Sequence, residues 1–94
     1  MYLEIVSPEA KLFSGEVESL TVPGASGSFQ VLNNHAPIVS TLTKGQVKIQ
    51  GNIKLDETNE GLFSQEGVST FFEIQSGALE MRDNKVILLT DYST

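Results

Sequence analysis

Glycine or proline interrupts the chain at positions 8, 15, 23, 24, 27, 37, 45, 51, 61, 67 and 77, so no stretch between interruptions before residue 77 exceeds nine residues. A glycine inside a helix costs about 1 kcal/mol and a proline about 3, and isolated helices under about 12 residues are marginal. Helices of ordinary length therefore have no place there. The intervening segments are rich in Val, Ile, Thr and Phe and alternate with a period of two. In Gln46-Val47-Lys48-Ile49-Gln50, for example, Val47 and Ile49 fall on one face. Half-buried strands are predicted near residues 2–6, 11–13, 16–22, 28–32, 38–42, 46–50, 53–56, 70–75, 78–82 and 85–90. Many short strands with frequent turns make an all-β sandwich or barrel.

Register sharpens several of these elements. A two-residue turn at Asp83-Asn84 sets Met81 opposite Val86 and Leu79 opposite Leu88, with Glu80, Arg82, Lys85 and Ile87 on the other face. Around Gly51-Asn52 a two-residue turn would oppose Ile49 to Lys54, whereas a three-residue loop opposes Ile49 to Leu55. The three-residue loop, or one long strand through Gly51, is expected. The apolar phase slips between Ile74 and Leu79, predicting a bulge or corner at Gly77, and slips again between Val17 and Leu20. Corners of this kind let a strand pass from one sheet to the other. The stretch Asp56 to Gly67, with four acids and two glycines, reads as an exposed, mobile loop.

Size limits what such a fold can do. Ninety-four residues and 10.2 kDa fit one domain, residues 1–94. At this size folding buries only about 60 to 65% of the unfolded chain's surface, so a large catalytic pocket is not expected. The chain has no cysteine, which removes disulfides, thiolate metal sites and thiol nucleophiles. Twelve acids against six bases give a net charge of −6, which disfavours nucleic acid and direct binding to anionic lipid. The longest apolar run is Val86 to Leu89, far short of the roughly 20 residues of a membrane helix, and Met1 is followed by no basic leader pattern. A cytoplasmic protein is expected.

Candidate chemistry is sparse. His35, the single histidine, sits in the turn-forming string Asn33-Asn34-His35-Ala36-Pro37 and reads as a loop histidine bonded to backbone, with partner contact as the alternative. One imidazole without a Gly-x-Ser-x-Gly elbow does not make a hydrolytic triad, and a histidine metal site lacks its second imidazole. The run Pro23 to Phe29 contains neither Gly-x-Gly-x-x-Gly nor Gly-Lys-Ser/Thr, so Gly27 reads as a turn glycine at positive φ rather than part of a phosphate cradle. Glu4, Glu18, Glu73 and Glu80 take alternating positions where a solvated face is expected, not a glycosidase pair. With no Trp, and Tyr only at 2 and 92, sugar-stacking platforms are missing; Phe13, Phe29, Phe71 and Phe72 read as core or interface. No catalytic residue, cofactor, metal or nucleotide site is assigned.

Several strings taken together resemble a known family: Tyr2 to Glu9, Leu12-Phe13-Ser14-Gly15-Glu16-Val17, Val22-Pro23-Gly24, Gly27-Ser28-Phe29 with Val31-Leu32, and Asn34-His35-Ala36-Pro37-Ile38. Leu42 to Ile49, Ser76 to Met81 and Val86 to Asp91 continue the match in order. The resemblance is to the epsilon subunit of the rotary F-type ATP synthase and covers roughly three quarters of the chain. It implies a flattened antiparallel sandwich of about ten short strands in the central rotor stalk. There it would be a non-catalytic rotor subunit bound to the gamma subunit and the membrane-embedded c-subunit ring, peripheral, on the cytoplasmic side of the bacterial inner membrane. It implies contact with the ring at Ser26, Gly27 and Ser28, and places Asn34, His35, Ala36 and Pro37 near the gamma contact and the base. The chain stops at Thr94, where family members begin a helical hairpin, so ATP binding and inhibition by that arm do not transfer. Gly51 to Thr70 is longer than the family's usual connection and suggests an elaborated acidic loop or hairpin. The alternatives are a small soluble sandwich that binds a ligand without catalysis, a carbohydrate module among them, and a small carboxylate hydrolase.

Overall fold

One long strand ties two half-sandwiches together. The computed structural model describes residues 1–92; the predicted domain end at Thr94 lies outside the described residues. The strands are β1 (Tyr2–Val6), β2 (Lys11–Glu16), β3 (Ser19–Gly24), β4 (Gly27–Leu32), β5 (Ile38–Leu42), β6 (Gly45–Gln50), β7 (Phe63–Glu66), β8 (Ser69–Arg82) and β9 (Lys85–Tyr92), with a 3-10 turn at Glu60–Leu62. The first half of β8 runs between β6 and β7, and its second half between β5 and β9. One layer thus reads β4-β3-β6-β8-β7 and the other β5-β8-β9-β1-β2. Among the described residues all pairings are antiparallel except β1 with β9.

Alternation explains the packing. Leu3, Ile5, Leu20, Val22, Val31, Val47, Ile49, Phe72, Ile74, Leu79, Met81, Val86 and Leu88 face inward and expose no more than 1% of their surface. The β8–β9 hairpin has the expected register, Leu79 opposite Leu88 and Met81 opposite Val86. Asp83 (φ 51°) and Asn84 (φ 59°) both take the left-handed conformation that a two-residue hairpin turn requires.

Both phase slips have physical counterparts. Between β2 and β3 the chain changes layers: the Val17 N–H donates to the Met1 carbonyl and the next N–H, on Glu18, to the Gln50 carbonyl. On β8 the ladder with β9 slips between Ile74 and Ser76, slightly before the predicted Gly77. Gly77 itself lies so close to β9 that a Cβ there would stand 2.5 Å from the Leu89 carbonyl oxygen.

Two expectations fail. Residues 53–56 form no strand and Ile49 does not face Leu55. The reason is that β6 is an inner strand: Ile49 pairs with Leu20 on one side and Thr70 on the other, leaving no edge for residues 53–56. The chain turns at Gly51 (φ 143°) instead, and the Gly51 N–H donates to the Val68 carbonyl. Nor is Asp56 to Gly67 all loop. Its end is β7, which pairs with β8 and stacks Phe63 on Phe72 with ring centroids 4.8 Å apart. Nine strands result among the described residues, because β8 replaces two of the predicted ones.

Candidate functional site

The residues singled out from the sequence occupy the two ends of β4. At one end, β3 and β4 are joined by a tight turn in which Gly24 pairs with Gly27. Gly24 has no room for a side chain, since a Cβ would lie 2.7 Å from the Gly27 carbonyl oxygen and 2.8 Å from the Phe29 ring. Gly27 (φ 129°) faces open space, as its turn role predicts. The turn is anchored to β5: the Ala25 N–H donates to the Thr41 carbonyl (3.0 Å) and the Thr43 N–H to the Pro23 carbonyl (2.8 Å). Ser26, Gly27 and Ser28 are exposed, and the Ser28 hydroxyl donates to the Val22 carbonyl at 3.2 Å. A shallow groove of about 360 Å³ separates this turn from Val39 and Ser40 of β5.

At the other end, Asn33 to Pro37 are all exposed. Asn34 (φ 62°) accepts the left-handed turn, and its N–H donates to the Asn84 side-chain oxygen at 2.8 Å. The Asn33 side-chain oxygen accepts from the Met1 ammonium at 2.9 Å. His35 is bonded to backbone on both sides: its N–H donates to the Leu32 carbonyl, and its Nδ1 lies 2.7 Å from the Ala36 carbonyl. Among the described residues the ring is held as a loop strut, with no carboxylate or hydroxyl bonded to it. Ser28 and Asn33 stand five residues apart along the strand direction, about 17 Å at the usual rise, so the structure sets the two loops apart along one flank.

Elsewhere, Glu4 departs from the solvated-face expectation. It is half-buried between Lys11 (3.0 Å) and Lys85 (3.1 Å), and the hydrogen bond from Lys11, then that from Lys85, holds its carboxyl below the usual range. Glu18, Glu73 and Glu80 are exposed as expected. No group of three or more metal-ligating side chains gathers among the described residues, and no helix there is long and apolar enough to cross a membrane.

One feature of the flank escapes a motif search, although its signal lies in the sequence. From Ser19 to Thr43 there is no Asp, Glu, Lys or Arg. That run builds β3, β4, β5 and both loops. Interface cores are depleted of charge, so the chain offers one neutral flank and carries its charges elsewhere.

The site is a surface: an uncharged flank of a β-sandwich with an exposed loop at each end of β4. Residues 1–93 match the family described as the beta-sandwich domain of the ATP synthase Delta/Epsilon chain, and the chain belongs to that family. It is 38% identical over 90 residues to the ATP synthase epsilon chain of Leptospira borgpetersenii, covering 96% of this chain and 60% of that one. To the ATP synthase epsilon chain of Chlorobaculum tepidum it is 37% identical over 89 residues, covering 95% and 86%. The central stalk and c-ring structure of the Tetrahymena thermophila mitochondrial ATP synthase contains a chain of the same fold (TM-score 0.69, 15% identity), covering 96% of this chain and 62% of that one. Membership of this family makes the chain an ATP synthase Delta/Epsilon-type sandwich domain and not a catalytic subunit.

Proposed function

We propose that the chain is the sandwich domain of a central-stalk rotor subunit, which binds the gamma subunit and the c-subunit ring and helps couple proton or sodium translocation to ATP synthesis. Its place is peripheral, on the cytoplasmic side of the bacterial inner membrane. The observation that carries this reading is the family match across residues 1–93. Two exposed loops at opposite ends of one strand support it, because a body that transmits torque must be held at two separated points. The turn Ser26-Gly27-Ser28 suits the ring: small side chains let backbone amides and hydroxyls approach polar loops of a partner closely. Asn34 to Pro37 suit gamma, since the bonds from Asn34 to Asn84 and from Met1 to Asn33 fix that loop on the body of the domain.

Co-expression with a cognate gamma subunit, followed by size-exclusion chromatography, tests the reading. Co-elution at one-to-one stoichiometry is the expected result; separate elution beside folded gamma would overturn it.

A further inference from the structure

The two flanks of the sandwich are finished differently. On one flank β2 is an edge strand, and the chain covers it: the Asn59 side-chain amide donates to the Lys11 and Leu12 carbonyls at 3.4 and 3.3 Å. Lys11 and Glu16 on β2, and Glu66 on β7, put charge along that side. Covering loops and edge charges are the usual means by which sheets avoid unwanted pairing. On the other flank β4 pairs only with β3 among the described residues, and it carries no charge, no proline and no bulge.

The register identifies which backbone groups are unpaired. Gly24 with Gly27, Val22 with Phe29 and Leu20 with Val31 are the hydrogen-bonded pairs of a two-residue hairpin, because Pro23, opposite Ser28, has no N–H to give. The amides of Ser28, Gln30 and Leu32 therefore point away from β3, off the sheet edge. Their side chains are exposed, so a partner strand would meet backbone without displacing core residues. Leu32 exposes 52% of its surface here, at the end that leads into Asn33 to Pro37.

Resting on the rotor reading, we infer that an extended segment of the gamma subunit adds as a strand to the free edge of β4 along Ser28 to Leu32. The edge is uncharged within a chain of net charge −6, so the segment that fits has neutral or basic side chains. A second copy of this chain would bring the same negative charge, which disfavours self-pairing.

Proline offers a selective test. In Gln30→Pro only an outward N–H is lost, and an edge strand tolerates proline where its N–H faces solvent. Gln30→Pro should weaken the complex with gamma about tenfold, the worth of one or two backbone bonds, whereas Gln30→Ala should not. In wild type, hydrogen exchange at Ser28, Gln30 and Leu32 should slow on complex formation, while Phe29 and Val31, already bonded to β3, should change little. Should Gln30→Pro fail to fold, this exchange measurement stands alone. Unchanged exchange at all three amides in an intact complex would overturn strand addition but leave the rotor reading standing. Absence of any wild-type complex with folded gamma would overturn both. A wild-type dimer that Gln30→Pro converts to monomer would assign the edge to a second copy and overturn the inference.

Discussion

Glu4 shows how much of a residue's character comes from its neighbours. On β1 it alternates outward, as the sequence indicates, yet β2 and β9 each bring a lysine ammonium to its carboxylate. Its pKa is depressed below the ordinary 4.5, chiefly by the hydrogen bond from Lys11. A carboxylate whose folded pKa is depressed adds stability that is fully present above its unfolded pKa and is lost as pH falls through the folded value. Glu4→Gln should therefore lower the melting temperature slightly at pH 7, and the difference should fade as pH is taken down from about 4.5. Melting curves recorded from pH 7 to pH 3 check this; a constant offset throughout would show that packing, not charge, carries the effect. Periodicity places Glu4 on an outer face, but the lysines that flank it depend on strand order, which periodicity does not encode.

Among the elements, the β8–β9 hairpin is the one most fully written in local sequence. Alternation sets the faces, and Asp83-Asn84 supplies two residues that tolerate positive φ. Leu88 is fully buried opposite Leu79, so Leu88→Ala should destabilise the domain by about 2 to 5 kcal/mol. Urea unfolding measures it, and a loss under about 0.5 kcal/mol would be incompatible with this packing. Residues 53–56 teach the opposite lesson. Ile53 and Leu55 alternate like a strand, but β6 already has a neighbour on each side, and both residues pack against the core from irregular backbone. In β7 the pattern fails in reverse: Phe63 is its one apolar residue, and its place is set by the stack on Phe72 and the ladder with β8. The candidate site follows the same division. Turn chemistry at Gly24 to Gly27 and at Asn33 to Pro37 is local and legible, whereas the exposure of β4 at a sheet edge follows from the order of strands across the sheet.

At the scale of the whole molecule, the loops should affect coupling far more than folding. Ser26 is exposed and its side chain makes no hydrogen bond among the described residues, whereas Ser28 donates to Val22 and would lose that bond on substitution. Ser26→Trp is accordingly the cleaner probe of the proposed ring contact: its stability cost should stay within about 0.5 kcal/mol while bulk is thrust outward from the turn. In reconstituted membranes, proton or sodium pumping should weaken with ATP hydrolysis largely retained. Normal pumping with the variant confirmed in the complex would remove this turn from the ring contact. The parallel pairing of β1 with β9, from Tyr2 opposite Lys85 to Val6 opposite Leu89, bears on how such a body takes a load. Pulling the start of β1 against the end of β9 draws two parallel neighbours past each other along their length. Every bond between them is then strained in shear at once, where an antiparallel hairpin pulled open from its free ends would yield one rung at a time. The seam joining the first and last strands of the described residues would thus resist tension between the two ends of the sandwich as a clamp loaded in shear.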